Sequence, residues 1–594
     1  MEDPMLLLLW LACAPDDPAL SGTSSVDPAP TSPSHTPPVL PTLTPTDSGL
    51  DEGTDPALVA AQAMYDPDHV ALVEIVIDEA DALALSQETN EIFDLLYGED
   101  CLDEPWSGPF NWYPADVTVD GVLRTDVGVR KKGLIGSLST DKPSLKLDYD
   151  TFVEGQTLDG LERLTLNNSI SDPSLVKQCL GYQLFRDAGL PSPRCHFASV
   201  SANGDALGVY VSVEPVKKDF LRWAFDGDDD GDLYEGTLAD FRDGWMGTFE
   251  PDTNDTDPTK APLQAVTDAL AIDDDEQMLA ALGEVLDLDA FYRFWAMEVI
   301  VGHLDGYAGN TNNYYVYVPE ETGKLVFIPW GIDAIFLRFA SFGSDTTLVT
   351  LNNSALTRRL WEVPSEQQRY RDTLQELLDT LWDEQALLDE VARMEALTDP
   401  YALPDDGWRE AELANLRAFI ATRQGELEAA LAAPTPSFDE PLRDDICIVD
   451  NGELSVVLDT TWGTLDTYDP LGEGSSTLVG SVDGLGFDLA GSAIAGFEAD
   501  GDYVTLAALA WHSPTVLSYA VVQLPSWEVQ PGVSVPIDGL GRVALLAQID
   551  FAVSEDAVIV GSMWDGTLTI DTFTGVDGSP VSATFSGTLY GGGP

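Results

Sequence analysis

The sequence predicts an α+β chain, strand-rich and then helix-rich in two lobes, followed by a C-terminal all-β sandwich-like domain. Three observations carry that expectation. Short strands separated by turn signals run from about Val70 to Glu214, and long amphipathic helices follow Leu286. From Asp445 to Pro594 the chain is Gly-rich, with β-branched and aromatic runs such as Tyr503-Val504-Thr505-Leu506 and Ala557-Val558-Ile559-Val560. The length of 594 residues suits two or three domains, and a hydrophobic fraction of 44% is enough to bury cores.

In chain order, Val70 to Asp78 reads as a strand, Asp116 to Val122 with Val127 to Lys132 as a hairpin, and Ser144 to Asp150 as a further strand. Asp172-Pro173-Ser174 opens a helix from about Leu175 to Ala188: Asp172 caps it, Pro173 suits the first helical position, and Gly189 ends it. Cys195 to Glu214 reads as two strands joined at Asn203-Gly204. Asp289 to His303 is a long apolar helix, and Tyr314 to Val318 with Leu325 to Pro329 make a hairpin around Thr322-Gly323. Pro364 to Ala432 is amphipathic helix interrupted at Pro400 and Pro404. In the last part, Asp483-Gly484 and Asp565-Gly566 mark turns.

Composition sets the divisions. Residues 14–68 are dominated by Pro, Ser, Thr and Asp, cannot bury enough apolar surface to fold, and read as a flexible tether. A folded body over 69–433 follows, then a linker over 434–444 around Pro434 and Pro436, then a β-rich accessory domain over 445–594. Residues 1–13 end in Met5-Leu6-Leu7-Leu8-Leu9-Trp10-Leu11-Ala12-Cys13, which resembles a bacterial lipoprotein signal with Cys13 as the lipidated residue. Glu2, Asp3 and Trp10 depart from that pattern. The expectation is export, with a membrane anchor only through Cys13.

Asp and Glu number 102 against 28 Lys and Arg, for a formal net charge of -74. Such a surface repels nucleic acid and anionic membranes, so neither is expected as a partner, and the chain is expected to be monomeric. General adaptation to salt or solubility is the plainest source of the acidity. Against it, any basic cluster stands out. Cys101, Cys179, Cys195 and Cys447 form no CxxC pair, which argues against zinc. After export they would be free to form disulfides, Cys179 and Cys195 being nearest in sequence, with buried free thiols as the alternative.

The informative stretch is His303-Leu304-Asp305-Gly306-Tyr307-Ala308-Gly309-Asn310, an H-x-D-x-x-x-x-N spacing. In phosphoryl transfer a carboxylate faces the acceptor hydroxyl while an amide oxygen one short loop later reaches a metal on the nucleotide phosphates. In a chain this rich in Asp, a loop of ordinary Asn and Asp turns is the competing reading. Downstream, Phe327-Ile328-Pro329-Trp330-Gly331-Ile332-Asp333 puts another carboxylate after a strand.

Together, Asp305-Gly306-Tyr307, Asn310, Asn312-Asn313-Tyr314-Tyr315-Val316-Tyr317 and Ile328-Pro329-Trp330-Gly331-Ile332-Asp333 resemble the signature of CotH-type kinases. That family reads roughly N-x-D-x-Y-x-x-N-x-N-N-Y-Y-L-Y and then P-W-D-x-D. Val127 to Gly133 is similar to its R-x-R-G turn and Pro143 to Leu147 to its basic strand. Leu184 to Arg194 and Tyr210 to Glu214 also match. The resemblance spans about Val70 to Ala432 and implies a two-lobed atypical protein-kinase-like domain. It implies an exported enzyme that uses ATP with Mg or Mn to phosphorylate Ser or Thr of a surface or secreted protein. Asp305 would be the catalytic carboxylate and Lys146 would pair with the nucleotide phosphates, as would Arg130 and Lys132. Asn310 and Asp333 would hold the metal, Asn313 would support them, and Glu214 would lie near the adenine or make a structural hydrogen bond.

Three departures bear on activity. Lys132 replaces the second Arg of the turn, Gly331 stands where the family often has the first Asp of D-x-D, and the helix over 175–188 offers no Glu to Lys146, leaving Glu162 as the nearest upstream candidate. A catalytically inactive surface or coat protein on the same fold is therefore the alternative. Separately, Asp226-Gly227-Asp228-Asp229-Asp230-Gly231 matches the first half of a calcium loop, but Thr237 stands where a bidentate Glu belongs. A weak calcium site and a solvated acidic turn are the two readings.

Overall fold

The computed structural model describes residues 64–592 apart from 91, 107, 135–137, 254–259, 338–348, 406, 439–440, 444–445, 466–468, 498–502, 540 and 554–556. The signal segment over 1–13 and all but the end of the tether over 14–68 lie outside the described residues. The described chain forms two units, one of 64–90 with 102–442 and one of 92–101 with 443–592. Residues 92–101, inside the span read as a single body, thus group with the C-terminal strands. Among the described residues no helix is long and apolar enough to cross a membrane.

The larger unit begins with β1 (Val70–Ile77), α1 (Glu79–Gln87), β2 (Tyr113–Val119), β3 (Val122–Lys132), β4 (Ser144–Asp148), β5 (Arg163–Asn167), α2 (Lys177–Asp187), β6 (Cys195–Ala202) and β7 (Asp205–Val213). Its strands close a barrel in the order β1-β2-β3-β4-β5-β7-β6, with β1 and β6 parallel. Alternation along β3 and β4 sends Val127, Val129, Leu145 and Leu147 into the barrel core and leaves Arg130, Lys132 and Lys146 on the other face. The turn between β2 and β3 is Asp120-Gly121, both at positive φ, so β3 begins several residues before the sequence pattern placed it. Asn203-Gly204 makes the same two-residue turn between β6 and β7, as expected.

The rest of this unit comprises α3 (Lys218–Ala224), β8 (Asp232–Gly236), β9 (Glu250–Pro251), α4 (Ala261–Leu270), α5 (Asp275–Val285), α6 (Leu288–Val301), α7 (Tyr307–Asn310), β10 (Tyr314–Val318), β11 (Val326–Pro329), α8 (Ala355–Trp361), α9 (Pro364–Leu381), α10 (Glu384–Thr398) and α11 (Trp408–Ala432). A four-stranded sheet of order β11-β10-β8-β9 carries the candidate site between its strands and α6. The α6 helix supplies Phe291, Phe294, Trp295 and Val299 to a large core shared with α2, α9 and α11. The helix-rich part of this unit starts at α4, ahead of Leu286 where the sequence pattern placed it. The long C-terminal helical stretch also breaks at Trp382, where the Asp383 side chain accepts the Ala386 N–H and restarts it as α10.

The start of α2 differs from the expected Asp172-Pro173 entry. Leu175 takes a φ of +70°, and the Asp172 carboxylate accepts the Lys177 N–H at 2.9 Å together with the Ser174 hydroxyl. The acid therefore closes a turn ahead of the helix and caps it from five residues away. Burial raises Asp172 to about 6.

The smaller unit is antiparallel: β12 (Ile448–Thr461), β13 (Ser475–Val482), β14 (Leu485–Phe497), β15 (Tyr503–Trp511), β16 (Val516–Pro525), β17 (Ser534–Ile537), β18 (Val543–Asp550), β19 (Val558–Met563), β20 (Gly566–Thr572) and β21 (Pro580–Gly592). These ten strands form one hydrogen-bonded sheet in which β12 also pairs with β21 along its length, where two separate layers were expected. The β-rich content and the Asp483-Gly484 turn agree with the sequence. Cys101 is disulfide-bonded to Cys447, tying the short helix at Ile92–Leu96 to the start of β12. In the larger unit Cys179 of α2 is bonded to Cys195 of β6.

Candidate functional site

The apolar helix α6 ends at Gly302, whose φ of +69° turns the chain into the loop that carries Asp305. The Asp305 carboxylate is half-buried and is met by three side-chain amides. Asn310 donates to Oδ1 at 2.7 Å, Asn312 to Oδ1 at 3.2 Å, and Asn313 to Oδ2 at 2.6 Å. Asn313 also donates to the Asp305 carbonyl at 3.1 Å. Neutral donors thus orient both oxygens without cancelling their charge. Asp305, Asn310 and Asn313, chosen from spacing and resemblance, come together here.

Below the loop lies a residue that sequence reasoning missed. Glu298, fully buried in α6, accepts the Tyr307 N–H at 2.8 Å and the Ala308 N–H at 2.9 Å, one on each carboxylate oxygen. Its signal was available: it is the one acid in the apolar run Phe294 to Val301. Gly306 is forced by this clamp, since a Cβ there would lie 2.1 Å from Glu298 Oε1. His303 is buried beside it, its Nδ1 3.6 Å from the same oxygen. The Tyr307 hydroxyl donates to the buried Asp240 at 3.0 Å, fixing the other side of the loop.

Asp333 follows β11. Pairing of Tyr314 with Pro329 across β10 and β11, and the Trp330 N–H bonded to the Asn313 carbonyl at 3.2 Å, bring its segment against the Asn-rich loop. Burial raises the Asp333 carboxyl above the ordinary carboxylate range; nearby Asp305 raises it further, while Lys132 opposes both. Gly331 has a φ of +55°, and a Cβ there would sit 2.3 Å from Asn313 Oδ1. An Asp at 331 would therefore push away the amide that holds Asp305. On its far side the segment packs on α2, where a Cβ on Gly181 would meet Ile332 and Ile335 within 2.8 Å.

The predicted cations lie on one face of the barrel. Arg130 is directly opposite Lys146 across β3 and β4, and Lys132 is two residues along. Burial, then the charge of Lys146, pushes Lys132 down to about 8, and its Nζ donates to Asn167 Oδ1 at 2.6 Å. Lys146 is also lowered, by burial first, with Glu235 opposing the shift. Arg130 is lowered by burial and stacks on Trp112, 4.7 Å from the ring centre. Lys131 faces the other way and donates to the carbonyls of Ser86 and Glu88 at the end of α1.

Glu235 on β8 is the second residue missed. It accepts the Tyr315 hydroxyl at 2.7 Å and is the carboxylate with the largest influence on Lys146. Glu162 instead pairs with Arg163 at the surface at 3.0 Å. Glu214 is buried and holds the Arg194 guanidinium and the Trp223 indole, the latter at 3.1 Å, so its carboxylate fits the structural one of its two readings. The Asp226–Asp230 loop is not assembled as a cage. Asp228 accepts the Tyr317 hydroxyl and the N–H groups of Glu320 and Glu321, Asp229 pairs with Arg222 at 2.7 Å, and Asp230 pairs with Lys218 at 2.9 Å.

Among the described residues no three His, Cys, Asp or Glu side chains converge as a metal cluster. Asn310 and Asp333 carry hard oxygen donors, and Asp305 and Asp333 repel each other with Lys132 and His303 opposing, so this donor set would fit a divalent cation that supplies positive charge there.

A family model described as CotH kinase protein matches residues 129–427. The chain is 26% identical over 275 residues to the inner spore coat protein H of Bacillus subtilis (strain 168), covering 43% of this chain and 73% of that protein. It is 22% identical over 321 residues to the inner spore coat protein H-like protein of the same organism, covering 53% of this chain and 94% of that one. A crystal structure of the Helicobacter pylori proinflammatory kinase CtkA overlaps 49% of this chain and 93% of its own, at 8% identity and a TM-score of 0.25. At that score the likeness carries no argument.

Proposed function

The chain belongs to the CotH kinase protein family, and on that premise we propose that it transfers the γ-phosphate of ATP to a Ser or Thr hydroxyl of an exported or surface protein. The observation that carries this reading is the Asp305 carboxylate, oriented by three amides and, among the described residues, bonded to no cation. In that setting Asp305 accepts the proton of the acceptor hydroxyl as its oxygen attacks the γ-phosphorus and the bond to ADP breaks. Glu298 keeps the loop in place, while Lys146, Lys132 and Arg130 bind the phosphates of the nucleotide. A divalent cation, Mg or Mn, held by Asn310 and Asp333 would offset the phosphate charge. The two disulfides support export, since such bonds persist in oxidising compartments. Attachment through Cys13 is part of the same proposal.

One observation favours a second reading, a catalytically silent surface or coat protein: Gly331 leaves Asp333 without the neighbouring carboxylate of the family pattern. The purified chain, given radiolabelled ATP with Mg and Mn tested separately, separates the two. Metal-dependent labelling of itself or a general protein acceptor, lost in Asp305→Asn and Asp333→Asn, supports the kinase. Nucleotide binding without transfer under either metal would leave the silent reading.

A further inference from the structure

A cavity of about 390 Å³ lies within the larger unit, on the face of α2 opposite Gly181 and therefore away from the Asp333 segment. Three arginines line it, Arg186, Arg194 and Arg393, in a chain whose net charge is -74. Two are neutralised within the protein. Arg194 is paired with Glu214, and Arg393 is paired with both oxygens of Glu390 at 2.7 Å and with Asp68 at 2.8 Å.

Arg186 differs. Its guanidinium donates to the Pro193 carbonyl, and among the described residues it forms no ion pair. Burial lowers it to about 10, and the charges of Asp187 and Glu214, neither of them ion-paired with it among the described residues, only partly oppose that shift. Tyr65, Phe197 and Met394 give the same cavity an apolar wall, and the Cys179–Cys195 disulfide fixes α2 to β6 beside it. Glu390 and Asp68 disfavour a second negative charge on whatever enters.

The geometry points to a binding site for a small organic acid, one oxyanion group on an apolar body, with Arg186 taking the anion and Tyr65, Phe197 and Met394 packing the body. It is separate from the Arg130, Lys132 and Lys146 face, and it stands whether or not the chain transfers phosphate.

The test titrates the full chain by calorimetry with benzoate, with the monoanion benzenesulfonate as the second source of an oxyanion, and with the neutral isostere benzamide. Benzoate or benzenesulfonate should bind at least about tenfold more tightly than benzamide. The tighter of the two identifies the anion class. Binding should be lost in Arg186→Gln and kept in Lys146→Ala. Because removing a half-buried arginine risks misfolding, hydrogen exchange on the unmodified chain supplies a second readout: the ligand should protect amides within 179–197. Equal binding of benzamide, no binding of either acid at millimolar concentration, retention in Arg186→Gln, or protection confined to 130–146 would each overturn the site.

Discussion

Two acidic loops of the larger unit invite comparison because composition makes them look alike and their surroundings make them opposites. In the loop over 226–230 three of the four carboxylates are spent: Arg222 and Lys218 cancel two of them, and backbone N–H groups with the Tyr317 hydroxyl hold a third. In the loop over 303–313 a single carboxylate is held by uncharged amides, and a buried glutamate grips the backbone beneath it. The first arrangement consumes negative charge to fix a turn. The second preserves it at a fixed position. In so acidic a chain, an aspartate is informative through its donors.

The largest test of that contrast is Asp305→Asn. Phosphoryl transfer should fall by ~10²–10⁴-fold, the range for removing a positioned proton acceptor, while nucleotide affinity changes little. Asp229→Asn in the other loop should leave the transfer rate unaltered. Single-turnover measurements on both variants check it, and a comparable fall in Asp229→Asn would erase the distinction.

Next in size is Glu298→Gln, which keeps the shape and one acceptor oxygen but loses the charge and sets an NH2 donor against the other backbone N–H of the loop. Stability should drop by ~1–3 kcal/mol in urea unfolding. The turnover number should fall about tenfold with KM for ATP nearly constant, because Glu298 places Asp305 and does not touch the nucleotide. An unchanged turnover number would mean that the amides alone hold the loop.

Lys132 gives a pH test with two opposite signs. Its folded value of about 8 lies below that of an exposed lysine because burial and Lys146 disfavour its charge. Above about pH 8 it loses its proton in the folded chain while the unfolded chain keeps one. Its contribution to stability therefore rises with pH until the ordinary lysine range is reached. Phosphate binding runs the other way, so KM for ATP should climb several-fold between about pH 7 and 9. Lys132→Arg, which does not titrate there, should flatten that climb. A KM profile identical in both proteins would remove Lys132 from the phosphate site.

The comparison also shows what was legible beforehand. Asp305 and Asn310 were readable because the chemistry fixes their spacing, and Asn313 came with them through the resemblance to CotH-type kinases. The three cations were readable through the same resemblance, and strand alternation puts Arg130 and Lys132 on one face. Glu298 stands out as the one acid in an apolar run, but its role, like that of Glu235, depends on which backbone or strand packs beside it, and sequence spacing does not encode that. Glu214 looked equally suited to nucleotide and structure until its partners Arg194 and Trp223 came into view. The same holds for the fold: turns signalled by a Gly pair were placed well at Asn203-Gly204, yet α2 started late because Leu175 takes a left-handed conformation no pattern requires.

The smallest expected effect sharpens the other side of the contrast. Asp228→Asn keeps an acceptor for the Glu321 N–H at 2.9 Å but loses the charge that strengthens it and the second oxygen's bonds to Tyr317 and Glu320. The cost should be about 1 kcal/mol, read as a small fall in melting temperature, with no change in phosphoryl transfer. Calcium should leave the melting temperature of both proteins where it was, because Asp229 and Asp230 are committed to Arg222 and Lys218 and Asp226 alone does not make a site. A calcium-dependent rise in the unmodified chain that Asp228→Asn abolishes would show that those pairs yield to a cation. The loop over 226–230 would then be a binding site in its own right, and the line drawn between spent and preserved charge would have to be moved.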